Sequence, residues 1–298
     1  MVRSQLILST RCLGTESVTV RDLVAAAMLV GANQVGLAMS LDPPDPTDLK
    51  AALGARDLRV ACVESPWAKG TARRSLGSGS ASEQVEALEL VKATKRNATH
   101  AGAPVLIVDL GEADLADGPQ RCKMLIELVA SEGLSPAAVA QRDQLVAERE
   151  KLETIALDRL SRALFAVLRS EPDLPVAIAP GRPLIGYPTH GMLEQLLGDL
   201  RSPRLRYWHD VARAWHWERL GLDRNGAWLG GYGAHLAGVA LADVRGMTDG
   251  LPPGAGEIDF RALRSALPAR CLKLVDVGPI GLPALKMAFD YLRSLGYD

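Results

Sequence analysis

The sequence is short of cysteine and of aromatic residues, leans to neither sign of charge, and has no long apolar run. Each shortage excludes something. The four cysteines, Cys12, Cys62, Cys122 and Cys271, lie far apart with no C-x-x-C pair, so neither a zinc knuckle nor a dithiol redox motif is present and reduced, buried thiols are expected. Lys plus Arg number 34 against 35 Asp plus Glu, which leaves no basic footprint for nucleic acid or for an anionic membrane surface. No apolar stretch is long enough to span a bilayer, and the N-terminal apolar run is too short for a signal peptide. A cytoplasmic location is the expectation. Neither G-x-S-x-G nor H-E-x-x-H occurs, so a nucleophile elbow and a zincin helix are both unsupported.

What is present is an ordinary globular composition, 48% apolar and 23% charged over 298 residues, enough chain to bury about three quarters of its unfolded surface. Eight short apolar runs recur: Leu6–Ser9, Gln34–Met39, Leu58–Glu64, Pro104–Asp109, Leu174–Ala179, Leu205–Asp210, Leu236–Asp243 and Cys271–Val277. Several, such as PVLIVDL and LPVAIAP, are nearly continuous rather than alternating, the pattern of strands buried on both faces of a parallel sheet. Helical patterns separate them. Thr19-Val-Arg-Asp22 reads as a capping box with Gly31 as the stop, and Ser80-Ala-Ser-Glu83 repeats the device ahead of a helix closed by Gly102. The alternation suits an α/β (β/α)8 TIM barrel, one domain over residues 1–298, slightly better than an open doubly wound sheet.

Two segments break the spacing. SLGSGSAS, residues 75–82, reads as a mobile loop, since it lacks the G-x-x-x-x-G-K-[ST] pattern of a phosphate cradle. Ser135–Ser170 has an N-cap, a first-turn proline and apolar residues at helical spacing, which predicts a long extra helical segment between strands four and five that packs on the barrel. GGYG, residues 230–233, is read as a tight turn.

The C-terminal half then becomes specific. SPRLRYWHDVARAW, HLAGVALADVRG, GAGEIDF (Gly254–Phe260), LKLVDVGP and ALKMAFDYLRSLGY follow one another, and this order resembles the xylose-isomerase-like TIM-barrel family of sugar-phosphate isomerases, epimerases and endonuclease-IV relatives. VRDLVAAAMLVGANQVGLA is similar to that family's first helix and second strand. The resemblance implies a barrel whose strand ends hold a divalent metal on carboxylates and histidines. Most of those ligands are missing here. Where the family's fourth strand ends in His-Pro-Gly this chain has Asp109-Leu110-Gly111, and Ala179-Pro180 stands in place of Glu-Asn. Arg213 and Ala240 replace histidines, and Asp276 replaces a glutamate. Alanine cannot ligate and an arginine repels a cation, so no metal and no cofactor is expected.

In a barrel register Glu64, Asp109, Asp210, Asp243 and Asp276 approach one mouth, where such carboxylates need cationic partners or must stay partly protonated. Arg11, Arg182 and Arg213 are the candidate partners. The catalytic candidates are Asp210, Asp276, Asp243 and Glu64. Substrate-binding candidates are Arg11, Trp67, Asp109, Arg182 and Arg213, with Trp67 as the pocket aromatic. Strand alternation turns His209 away from the barrel, as a hydrogen-bonded structural histidine. Two readings remain open: a metal-independent acid–base isomerase, epimerase or lyase acting on a small polyhydroxylated carbonyl compound, or a non-catalytic barrel serving as a ligand-binding or partner subunit. Expected partners are a sugar-like small molecule and, in a homo-oligomer, a second copy, with neither nucleic acid nor membrane.

Overall fold

A computed structural model describes residues 5–14, 19–70, 75–224 and 226–298. All eight apolar runs form strands: β1 (Leu6–Ser9), β2 (Gln34–Leu37), β3 (Arg59–Ser65), β4 (Leu106–Val108), β5 (Val176–Ile178), β6 (Leu205–Asp210), β7 (Leu236–Leu241) and, last in the chain, β10 (Leu272–Val275). They close into a parallel barrel in sequence order, β1 pairing with both β2 and β10, so that Leu8 lies opposite Val35 on one side and Val275 on the other. Between β7 and β10 a hairpin, β8 (Asp243–Arg245) and β9 (Thr248–Leu251), forms a separate two-stranded sheet.

Strand alternation sorts the core into two layers. Ile7, Cys62, Ile107, Ala177, Trp208, Ala240 and Leu274 form a cluster inside the barrel. Their neighbours Leu6, Leu8, Val63, Leu106, Val108, Val176, Tyr207, Val239 and Val275 join the larger cluster shared with the helices. Trp208 fills much of the interior, and Gly238 on the adjacent strand makes room for it: a Cβ there would overlap the indole and come within 2.8 Å of the Leu272 Cβ.

The caps read from the sequence are in place. Thr19 and Asp22 form a reciprocal capping box on α1 (Val20–Val30), which ends at Gly31 in the left-handed region, and Ser80 caps α3 (Ala81–Ala101), which ends at Gly102 in the same conformation. The extra segment between β4 and β5 consists of α4 (Gly118–Glu132) and the 34-residue α5 (Pro136–Arg169), capped by Ser135. These two helices pack through Cys122, Leu125, Val129, Ala138 and Leu145, together with Leu184, Ile185, Leu220 and Met247 from the barrel loops. A bidentate pair, Arg121 with Glu148, joins them. The C-terminal end of α5 is fixed from below: buried Lys95 on α3 donates to the carbonyls of Val167 and Ser170 at 2.8 and 2.7 Å, a cation placed at the negative end of the helix.

Two sequence expectations are corrected. The loop read at residues 75–82 is only partly free. Leu76, Gly77 and Ser78 are buried, Ser75 Oγ donates to the Leu110 carbonyl and the exposed Gly79 donates its N–H to Asp114, while α3 begins at Ala81. Gly230–Gly233 is no tight turn. Gly230 and Gly231 lie in α8 (Ala227–Tyr232), with Gly233 in the 3-10 turn that follows, and the Gly230 N–H donates to the Gly226 carbonyl. No described helix is long and apolar enough to cross a membrane.

Candidate functional site

Active sites of such barrels lie at the C-terminal strand ends, and here five strands bring ionisable side chains to that rim. Arg11 stands in the 3-10 turn Thr10–Leu13 that follows β1, positioned by its N–H bond to Ser9 Oγ at 3.2 Å. Glu64 is next to last in β3, Asp109 follows β4, and Asp276 follows β10. Asp210 ends β6 and caps α7 (Val211–Arg219), whose first turn carries Arg213.

These six side chains form two linked triads. Arg11 donates to Glu64 through one terminal nitrogen and from Nε to Asp276 Oδ1 at 3.0 Å. Arg213 donates from Nε to Asp210 Oδ2 at 3.1 Å, from a terminal nitrogen to Asp109 Oδ2 at 3.3 Å, and from the other to the Pro180 carbonyl at 2.9 Å. The Gly111 N–H fixes the second Asp109 oxygen at 2.9 Å. Side-chain exposures across the set run from 13% to 28%, so the mouth is polar and reaches solvent while remaining largely shielded.

Shielding sets the protonation states. Burial, reinforced by the Asp276 charge, pushes the Glu64 carboxyl up to about 7 against the pull of Arg11 and Arg213. Glu64 thus exchanges its proton near neutrality. Burial opposes the charge on Arg213, yet Asp109, Asp210 and Glu64 outweigh it and hold that guanidinium more firmly protonated than usual. The Glu64 carboxylate likewise raises Arg11, against burial and with Asp276 adding to it. Cys62, two residues before Glu64 inside the barrel, is held well above the ordinary thiol range by burial, then by Glu64 and Asp276, and is an inert space-filler rather than a nucleophile.

The donor set does not fit the divalent metal that the family resemblance implies. A guanidinium already lies against each of the four carboxylates, and the rim positions on β5 and β7 carry Ala179 and Ala240. Among the described residues no group of three or more His, Cys, Asp or Glu side chains is arranged to hold a metal ion.

Other candidates fall elsewhere. Asp243 is 1% exposed, and its two oxygens accept backbone N–H bonds from Val244, Gly254, Gly256 and Ile258 at 2.8, 2.9, 2.8 and 3.0 Å. It anchors the GAGEIDF loop beneath the hairpin and makes no ion pair with the mouth arginines. Trp67, 3% exposed, is buried in the helix-side core, its backbone clamped to α3 by Thr94 and Asn97. Arg182 is 55% exposed and lies 3.5 Å from Glu112, outside the two triads. His209 faces the helices, its Nδ1 2.7 Å from the Tyr207 hydroxyl, and burial lowers its pKa to about 4. His216, which sequence reasoning did not single out, is buried on α7 with Nε2 lacking a partner. Burial lowers its pKa while the Asp249 and Asp210 charges oppose the shift. The only cue in the sequence is its place three residues beyond Arg213, between two tryptophans.

No family model matches the sequence, and no curated protein matches it. Solved structures do match its fold. A xylose isomerase-like TIM barrel fused to a 4-hydroxyphenylpyruvate dioxygenase aligns over 98% of this chain and 42% of the fusion, at 14% identity and a TM-score of 0.65. The fold is that of the xylose-isomerase-like barrels. A 3-keto-D-glucoside 4-epimerase from E. coli shares this xylose-isomerase-like fold over 98% of this chain and 99% of its own, at 13% identity and a TM-score of 0.67. The IOLI protein, solved with a zinc atom, does so over 97% and 95%, at 12% identity and a TM-score of 0.66.

Proposed function

We propose that the barrel mouth is an acid–base site that isomerises or epimerises a small polyhydroxylated carbonyl compound without a metal. The observation that carries this reading is the convergence of Glu64, Asp276, Asp210 and Asp109 on Arg11 and Arg213 at a solvent-reaching rim, with Glu64 held near neutrality. A general base works best when its pKa lies near the operating pH. Glu64 takes the proton from the carbon beside the substrate carbonyl. The C–H electron pair becomes the double bond of an enediol, the carbonyl oxygen gains negative charge, and Arg11 stabilises that oxygen. In an isomerisation Glu64 then delivers the proton to the former carbonyl carbon, while Asp276, on the other side of Arg11, moves a proton between the substrate oxygens. In an epimerisation the original carbon is instead reprotonated from the opposite face, by Asp276. Arg213, with Asp210 and Asp109, orients the hydroxyls. The kinship of fold with a keto-sugar epimerase supports the substrate class.

The second reading is a non-catalytic barrel that binds a ligand or a partner. Ala179 and Ala240 at the rim favour it, as does the full engagement of both Asp210 oxygens. One experiment separates the two. The protein is incubated in D2O with a panel of aldoses, ketoses and their acids, and proton NMR follows deuterium entering the carbon beside the carbonyl. Exchange that falls about a hundredfold or more in Glu64→Gln is expected. A sugar that raises the melting temperature without exchanging would establish the binding barrel and overturn the enzyme.

A further inference from the structure

The extra helix α5 reaches the mouth through one buried cation. Arg149, 5% exposed and in the first half of α5, donates to the Leu184 carbonyl at 3.1 Å and lies over the Trp217 ring, 5.6 Å from its centroid. Burial lowers its pKa against the pull of Glu153 and Glu150, and among the described residues its Nε has no hydrogen-bond partner. As mere packing such a cation is costly, since an apolar side chain of similar length would fill the space without the desolvation penalty.

What Arg149 touches leads to Arg213. Trp217 and Arg213 stand four residues apart on α7 and so share a face. The Trp217 Nε1–H donates to the Gly181 carbonyl at 2.8 Å, and Arg213 donates to the preceding carbonyl, that of Pro180, at 2.9 Å. Leu184 belongs to the same loop and sits in the left-handed region at φ 78°, a conformation that non-glycine residues rarely adopt. This loop has no slack. A Cβ on Gly181 would come within 2.4 Å of the Gly186 carbonyl carbon, and one on Gly186 within 2.1 Å of the Arg182 nitrogen, so a shift at Leu184 is passed on to Pro180 and Gly181. From the same loop the Tyr187 N–H donates to the Gly111 carbonyl at 2.8 Å, and the Gly111 N–H is the one that fixes Asp109. Arg213 and its partner Asp109 therefore both rest on it.

We propose that Arg149 is a positioning residue of the mouth: through Leu184 and Trp217 it fixes the loop after β5, and thereby the guanidinium of Arg213. The extra helix then serves the site as well as covering the barrel. The inference rests on the reading of the mouth as the ligand site and adds the residue that holds one of its arginines in place.

The Glu64 carboxyl reports on Arg213, whose charge pulls its pKa down. Its titration midpoint is followed by carbon NMR on the full chain carrying labelled glutamate, with Glu64→Gln assigning the signal. Arg149→Met, which keeps an unbranched side chain without the cation, is expected to raise the midpoint by about 0.5 in pH as Arg213 loses its fixed place. Trp217→Phe removes the donor to Gly181 without altering any charge and is expected to raise it too, so the test stands even if Arg149→Met fails to fold. Leu164→Ala opens a cavity at another buried position on α5 and is expected to loosen the helix while leaving the midpoint where it was. A midpoint unmoved in either variant that folds, or moved as far by Leu164→Ala, overturns the proposal. The titration needs no substrate. Absence of deuterium exchange on every sugar would therefore remove the acid–base reading and leave this inference standing, whereas exchange by the parent with an unmoved midpoint would do the reverse.

Discussion

Arg213 engages both oxygens of Asp210, its backbone N–H donating to Oδ1 at 3.0 Å and its Nε lying 3.1 Å from Oδ2. One carboxylate therefore caps α7 and neutralises the arginine that reaches across to Asp109. Asp210→Ala should destabilise the fold by about 2 kcal/mol through loss of the cap and of the counter-ion. Asp210→Ser, which restores a capping oxygen but no charge, should recover about 1 kcal/mol. Urea titrations of the two variants check this, and equal losses would show that the cap contributes nothing.

Glu64 couples stability to pH. Its carboxyl is raised from the ordinary 4.5 to about 7 in the folded state, so between those values the native chain holds a proton that the unfolded chain has released. Its contribution is therefore fully present below about pH 4.5 and declines as the pH climbs towards 7. Glu64→Gln should flatten the melting-temperature profile across this window and, at about pH 8, stabilise the protein by about 2 kcal/mol. A variant whose profile stays parallel to that of the parent would contradict the assignment.

Asp243 is expected to matter for folding rather than for chemistry. Asp243→Ala would leave backbone N–H groups of Val244, Gly254, Gly256 and Ile258 without their acceptor, at a cost of about 3 kcal/mol or more. Hydrogen exchange should speed up at those four amides first. Unchanged protection there would refute the anchor role.

The barrel interior should tolerate little change in volume. Trp208→Ala opens a cavity and should cost about 4 kcal/mol, whereas Gly238→Ala forces a methyl into the indole and should cost about 2 kcal/mol. If Trp208→Ala is combined with Gly238→Ala, the overlap with the indole is gone and only the 2.8 Å approach to the Leu272 Cβ remains, so the double variant should lose less than the sum of the two. Chemical denaturation of the full cycle reads that coupling.

The barrel was legible because parallel strands buried on both faces leave continuous apolar runs, and because Thr19, Ser80 and Ser135 announce helix starts by local hydrogen-bond chemistry that needs no tertiary information. The pairing of Arg11 and Arg213 with rim carboxylates was legible too, because carboxylates gathered at a shielded strand-end rim need cationic partners, although both arginines stand beyond the strands, in a 3-10 turn and in α7. Other features depend on what packs above the rim. The run Leu236–Asp243 reads as one strand, but β7 ends at Leu241 and Asp243 begins a hairpin, because its carboxylate gathers amides from a loop eleven to fifteen residues away. Trp67 follows a strand end as a pocket residue would, yet Thr94 and Asn97 draw its backbone onto α3. Arg182 was grouped with the mouth by its place after β5, but its side chain pairs with Glu112 instead.

With the Trp208 indole buried in the barrel interior against Gly238, packed side chains rather than open space lie beneath the arginine-lined rim. On the proposed reading, a ligand held by Arg11 and Arg213 would therefore have to arrive and depart by the same face of the barrel.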